Sequence, residues 1–169
     1  MNIILAIDPG TTHSAYTIYN PNTETIVEAA KVENDALMYK VLDANRALTD
    51  LVIEEIKSYG MPMGQSTIDT CYWIGRFIQA WGAPYTFLPR KTIVTHICGS
   101  SRAKDSNVRS ALISRFSGRR DVGGGKEPAI GTKPKPGPLY GFNADMWSSL
   151  AIAITYAEQE RERTNALLR

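Results

Sequence analysis

The sequence predicts an α/β fold built on one mixed sheet, and three observations carry that expectation. Residues 2–8 form an almost unbroken apolar run that ends in Asp8, the pattern of a strand buried on both faces. Two alternating segments follow, 13–20 and 24–32, with Pro21 and Asn22 between them as a hairpin turn. From residue 34 onward, helical and strand-like periods alternate to the end of the chain. The first three strands therefore read as an antiparallel meander, to which later strands add.

Each element has a local cause. Pro9-Gly10-Thr11-Thr12 breaks the first strand. Asn34 is a candidate N-cap for a helix over 35–47, with Leu37, Val41 and Leu42 on one face. Residues 50–56 are strand-like again, and 57–65 form a loop. A helix over 66–81 carries Ile68, Cys71, Tyr72, Ile74, Phe77, Ile78 and Trp81, an apolar surface wide enough to imply a central helix or a subunit contact. Residues 84–89 make a short strand. Helices follow over 91–98 and 105–116, the second capped by Asp105 or Ser106. Residues 117–141 hold seven glycines and four prolines. No packed element is expected there, and a loop of that length inside a domain is usually functional or mobile. A last helix spans 144–160, burying Leu150, Ile152 and Ile154, and a charged tail follows.

Composition narrows the class. A chain of 169 residues reads as a single domain, 1–169, long enough to bury a core. No apolar run approaches the ~20 residues of a membrane span. The first residues lack a basic leader, so they read as strand rather than signal peptide. Two cysteines, Cys71 and Cys98, make no disulfide framework, which points to a reducing cytoplasm. No CxxC or paired-His pattern supports zinc. The net charge of +2 conceals a segregation: residues 90–140 carry eleven Lys/Arg against three acids, +8, which leaves −6 elsewhere. A polyanionic partner is implied; the plainer reading is a solvated basic loop.

Three acidic segments stand at the edges of these elements: Ile7-Asp8-Pro9-Gly10, Val52-Ile53-Glu54-Glu55 and Asn143-Ala144-Asp145. Carboxylates gathered without His or Cys suit hard cations, Mg²⁺ or Mn²⁺. Beside a basic, Gly-rich segment they point to metal-dependent phosphodiester chemistry on nucleic acid.

These segments resemble the RuvC family of Holliday-junction resolvases, in the RNase H-like superfamily. Ala6-Ile7-Asp8-Pro9-Gly10-Thr11-Thr12 is similar to the family's first-strand motif, and Val52-Ile53-Glu54-Glu55 to its fourth-strand motif. The run from Lys91 to Phe116 resembles the Lys-containing DNA-contact region. Asn143-Ala144-Asp145-Met146-Trp147-Ser148 through Ile154 resembles the last-helix motif. Ser58 to Pro62 together with Asp145-Met146-Trp147-Ser148 resembles phage-encoded members. The resemblance covers almost the whole chain and implies an RNase H-like mixed five-stranded sheet flanked by helices.

The resemblance also implies a site. Asp8, Glu54 and Asp145 become metal ligands and catalytic acids; the family's last helix carries Asp or His and then, one turn on, Asp, so Asp145 takes the first place and Ser148 the second, or, in the alternative register, Asp145 takes the second with Phe142 one turn before it. That serine is a departure and leaves the metal count open; Glu55 points to the opposite strand face. The plainer readings are a turn-capping Asp8, an exposed Glu54, a helix-start Asp145 and a packing Ser148. Lys91, Arg102, Lys104 and Arg109 are candidate phosphate contacts. Tyr59 is a candidate for stacking on an unpaired base. The three tryptophans read as core, and His13 and His96, with no evident carboxylate partner, receive no role. The implied partners are a four-way junction or other branched DNA and a second copy of the chain, since paired nicks in a two-fold junction need two sites. Helix 66–81 is the interface candidate, and the flexible basic loop 117–141 is expected to order on DNA. Rival readings are a flap or fork nuclease, a junction binder without cleavage, and an ATPase with Gly10 and Thr11 in a phosphate loop. The setting implied is the cytoplasm of a bacterium or of a phage-infected cell.

Overall fold

The computed structural model describes residues 1–58, 60, 62–119 and 122–168. β1 (Ile3–Asp8) is the middle strand of a five-stranded sheet ordered β3-β2-β1-β4-β5. β2 (His13–Asn20) and β3 (Thr25–Glu33) extend it antiparallel on one side. β4 (Thr49–Glu55) and β5 (Tyr85–Pro89) extend it in parallel on the other. This is the mixed sheet, with three antiparallel leading strands, that the sequence predicts.

Strand alternation divides the core into two layers. Leu5, Ile7, Leu51 and Ile53 pack on the side covered by α1 (Asn34–Asp43) and α2 (Gln65–Trp81). Ile4, Ala6 and Val52 pack on the side of α3 (Arg90–Cys98), α4 (Asp105–Ser117) and α5 (Met146–Leu167). The two layers explain the unbroken apolar run of β1: both its faces are inside. Burying a side chain of the size of Phe77 or Trp81, both essentially inaccessible, is worth roughly 1.5–3 kcal/mol. The Trp81 indole N–H also finds Pro84 O at 2.9 Å, so its one polar atom is satisfied.

Several boundaries differ from expectation, each for a physical reason. α1 stops at Asp43 because Ala44 is extended, and the Arg46 guanidinium then donates to the freed carbonyls of Leu42 and Ala44. Leu42 is consequently exposed, whereas Leu37 and Val41 are buried. The N-cap position of α1 is Glu33, not Asn34. Asn34 is buried, with Oδ1 accepting from Ser14 Oγ at 2.7 Å and Nδ2 donating to Gly10 O at 2.9 Å. α4 is capped at Lys104, whose backbone N–H donates to Asn107 Oδ1 at 2.8 Å, so neither Asp105 nor Ser106 is the cap. α5 starts at Met146 and runs on to Leu167, with ion pairs from Arg161 to Glu24 and from Arg163 to Glu160 along the charged part.

The largest difference lies in 117–141. Gly131–Thr132 (β6) and Lys135–Pro136 (β7) form a small antiparallel pair. Ala129 and Leu139, wholly buried, anchor it to the α3–α5 core. The glycines that argued against packing are what allow it. A Cβ on Gly123, Gly131 or Gly137 would stand 2.5, 2.3 and 2.3 Å, respectively, from the nearest backbone atom unless the chain shifted.

Candidate active site

The site begins with strand register. Ile7 pairs with Ile53 across the parallel β1–β4 ladder, so Asp8, the last residue of β1, and Glu54, the last but one of β4, stand one step further on. Both belong to the alternation series of Ile4, Ala6 and Val52, and so both face the α5 layer. Glu55 belongs to the other series and pairs with Lys57 Nζ at 3.1 Å. In β5, Leu88 pairs with Glu54, and Arg90 follows two residues later. The ends of three parallel strands thus deliver Asp8, Glu54 and Arg90 to one place.

The turn after Asp8 is tied down from behind. Gly10 N–H donates to Ser14 Oγ at 3.1 Å, Ser14 passes the bond to Asn34, and Asn34 N–H donates to Thr12 O at 2.9 Å. Gly10 is required here: a Cβ would fall 2.2 Å from His13 O. A buried, fully partnered polar clamp of this kind fixes backbone position as well as satisfying its own groups.

α5 brings the remaining groups from across the sheet. The Ser149 hydroxyl and Thr17 Oγ1 share a buried hydrogen bond of 2.8 Å, docking the start of the helix on β2. Asp145 occupies the N-cap position of α5, one residue before the helix rather than on it, and makes no capping hydrogen bond. Its neighbour Ala144 has φ of 31°, a conformation that costs a non-glycine residue about 1 kcal/mol or more. The Asp145 carboxylate instead meets Lys31 Nζ at 2.5 Å. Lys31 lies in the row Asp8–Ala15–Lys31 across β1, β2 and β3.

Electrostatics single out Asp8. Burial, with Glu54 and then Asp145 adding repulsion, pushes its carboxyl from 3.8 up to about 7; Arg90 and a hydrogen bond from Ser148 act the other way. Burial also raises the Glu54 carboxyl, with Arg90 opposing. The Glu54 side chain is only 13 % exposed, and Arg90 Nη1 approaches it to 3.5 Å. Arg90 also pairs with Asp105. Burial works against the Arg90 charge, but Glu54, Asp105 and Asp8 outweigh it and hold the guanidinium above its usual pKa.

A cleft of about 430 Å³ opens beside these groups, lined by Arg90, Asp105, Arg109, Asp145, Trp147 and Ser148 among others. Among the described residues, no three acids, histidines or cysteines stand close enough to grip an ion as placed. Asp145 is paired with Lys31. The donor set nevertheless fits a hard cation: every donor is oxygen, and a cation would relieve the repulsion that raises Asp8.

No family model and no curated protein matches this sequence. Solved structures do match. The structure of Thermus thermophilus RuvC superposes with a TM-score of 0.67 at 16 % identity, covering 96 % of this chain and 97 % of that one. The fold is that of RuvC. A second T. thermophilus RuvC structure, in complex with Holliday junction substrate, gives a TM-score of 0.68 at 15 % identity over 97 % of this chain and 98 % of that one.

Within this RuvC fold the sequence-predicted residues fall into groups. Glu54, Asp145 and Ser148 all act on Asp8. Arg109 also reaches the cleft, its guanidinium 5.3 Å from the Trp147 ring centre and 3.9 Å from Glu127. Lys91, on the first turn of α3, is exposed, and Arg102 and Lys104 are exposed in the α3–α4 connection; none of the three lines the cleft. Tyr59 lies outside the described residues. Trp81 and Trp147 are core, whereas Trp73 is half-buried under Arg76, 3.9 Å from its ring centre. His96 has a carboxylate partner after all, Glu158 at 2.7 Å, between α3 and α5.

Sequence reasoning missed Arg90 and Lys31 as site residues. Arg90 was visible as the first residue after a strand parallel to β4. Lys31 follows only from register, two strands away from Asp8.

Proposed function

We propose that this chain is a metal-dependent endonuclease that resolves four-way DNA junctions by paired, symmetry-related nicks. The observation that supports the reading is the placing of Asp8 and Glu54 near adjacent parallel strand ends, with Asp145 and Ser148 acting on Asp8 from the start of α5. The T. thermophilus protein held on a Holliday junction lends the substrate class. Asp8, Glu54 and Asp145, with the Ser148 hydroxyl, would hold Mg²⁺ or Mn²⁺. The ion would supply an activated water and charge stabilisation at phosphorus.

The chain's own residues have separable tasks. Asp8, whose carboxyl stands near neutrality rather than near 3.8, would give up its proton to solvent if a cation bound beside it. Ser148 orients that carboxylate through its hydrogen bond. Arg90 offsets the Glu54 charge in the free protein and would be released to meet a phosphate oxygen if Glu54 held the ion. Arg109, held against Trp147, is a phosphate contact at the cleft wall. Arg102, Lys104 and Lys91 extend the basic surface, and Tyr59 is a candidate for stacking.

Two-fold DNA requires two sites, so a C2 homodimer belongs to the proposal. α2 remains its candidate interface: Tyr72 is 66 % exposed on its outer face, beside the exposed Cys71. Among the described residues no helix is long and apolar enough to cross a membrane. Free cysteines suit a cytoplasmic setting, and the motifs from Ser58 to Pro62 and from Asp145 to Ser148 favour a phage-encoded protein.

The test is cleavage of a labelled synthetic four-way junction with Mg²⁺ or Mn²⁺, beside linear duplex and a Y-fork, with Asp8→Asn as control. Paired nicks in the junction alone are expected. Equal cutting of the fork would make the protein a broader branched-DNA nuclease. Ser148 favours one second reading, a junction binder that does not cut. Tight binding without nicks, converted to cleavage by Ser148→Asp, would establish it.

A further inference from the structure

The segment between α4 and α5 is more than a connection. Three glycines cross where no Cβ fits, and backbone hydrogen bonds run from Gly123 to Pro128 (2.7 Å), Gly124 to Lys135 (2.9 Å), Gly137 to Ile130 (2.9 Å) and Leu139 to Ala129 (2.8 Å). With Ala129 and Leu139 wholly buried, the β6–β7 hairpin is held at its base and stands out from the α3–α5 core. Its exposed residues include Lys133 and Lys135. The exposed Lys126 follows close by in the chain, since Gly124 N–H donates to Lys135 O at 2.9 Å and a Cβ on Gly125 would stand 3.0 Å from the Thr132 methyl group.

Composition says what this hairpin can touch. From residue 128 to residue 144 there is no acid, and the nearest, Glu127, is paired with Arg109. Among the described residues none of the three lysines has an ion pair. Residues 122–142 contain no Arg, Asn or Gln, the side chains that read base edges through paired hydrogen bonds. Lysines are point charges suited to phosphate oxygens. Carried on an ordered hairpin, they lose less freedom on binding than they would on a slack loop. The hairpin also leads straight into the site: Phe142 packs on Trp147, ring centres 5.2 Å apart, and Asp145 follows.

We propose that the 123–139 hairpin is a pre-built clamp for the phosphate backbone of a duplex DNA arm, which it grips without regard to sequence and locks to the cleft through Phe142 and Trp147. This rests on the branched-DNA reading above, and the test separates the two. Binding of a labelled four-way junction is followed by fluorescence anisotropy through a KCl series, with Mg²⁺ present and Asp8→Asn in every protein to prevent cleavage. Against that parent stand the triple variant Lys126→Ala, Lys133→Ala, Lys135→Ala and, separately, Gly131→Val, which keeps all three lysines. Gly131 has φ of 76°, and a Cβ there would meet Gly137 N at 2.3 Å, so valine must displace the hairpin.

The triple variant is expected to lower the slope of log K against log salt by about 2 to 3, at roughly 0.9 for each phosphate no longer neutralised. Gly131→Val is expected to lose most of the same slope with no charge removed, while its melting still shows one cooperative transition. An unchanged slope in the triple variant, with the parent binding well, overturns the clamp and leaves the branched-DNA reading intact. Loss in the triple variant but none in Gly131→Val overturns the pre-built part, since the charges would then act from any loop. A parent that binds no junction at low salt overturns both.

Discussion

The two halves of the acid site are built to different standards of rigidity. Asp8 and Glu54 stand near the ends of hydrogen-bonded strands in the middle of the sheet, are nearly enclosed, and carry carboxyls raised first of all by burial. Asp145 stands 47 % exposed at a helix start, behind a strained Ala144, and is paired with a lysine from an outer strand. The strand half cannot move without disturbing the sheet. The helix half can exchange one partner for another by side-chain rotation. The difference suggests a site whose fixed part defines position and whose adjustable part closes on the ion.

The sharpest way to break this comparison is at Asp8. Asp8→Asn is expected to reduce junction cleavage about 1000-fold or more, a barrier increase of ~4 kcal/mol, with junction affinity unchanged; single-turnover rates measure it. If Asp145 is the adjustable partner, Asp145→Asn acts chiefly on the ion. Half-saturating Mg²⁺ is expected to rise about 10- to 100-fold, the scale for groups that complete or orient a metal site. A loss as deep as that of Asp8→Asn, not restored by excess Mg²⁺, would place both halves on one footing.

The same asymmetry has a stability signature. The folded chain holds the Asp8 proton up to about pH 7, whereas the unfolded chain releases it near 3.8. The folded state binds more protons between those values, so the Asp8 contribution to stability falls as pH rises through that window and is level above it. In EDTA at pH 8, Asp8→Asn is therefore expected to raise Tm by about 4–8 °C, from ~2 kcal/mol after allowing for relaxation. The gain shrinks by pH 5 and is absent below pH 3.8. Calorimetry at three pH values decides it, and Mg²⁺ should stabilise the wild-type chain and not the variant. The smallest effect sharpens the other half. Lys31→Met frees Asp145 from a partly exposed pair worth about 1 kcal/mol at most. Mg²⁺ affinity is expected to improve by up to about 5-fold, read by titration calorimetry.

What the sequence disclosed follows from what is local in it. Asp8 and Glu54 were legible because each stands near the end of a strand with a clear apolar pattern, and alternation chose Glu54 over Glu55. Arg90 and Lys31 were not, since their nearness to Asp8 depends on which strands lie side by side and in what register. Asn34 reads as a cap because Asn is among the residues favoured before a helical period; its burial beside Gly10 depends on where the β1–β2 turn folds. The hairpin at 123–139 was hidden for a related reason. Its anchors are two isolated apolar residues, Ala129 and Leu139, and its glycines carry the signal of a loop until their mutual packing is known.

β1 has a consequence for how the protein loses activity. It is paired on both edges and enclosed on both faces, so its backbone amides belong to the part of the chain that opens only when everything opens. In hydrogen exchange the amides of residues 4–7 should be among the slowest, with apparent opening free energies equal to that of global unfolding. Asp8, the proposed catalytic acid, is mounted at the end of such a strand and has no local route to displacement. Heat should then remove activity and structure together, in one transition, with no folded but inactive species between them.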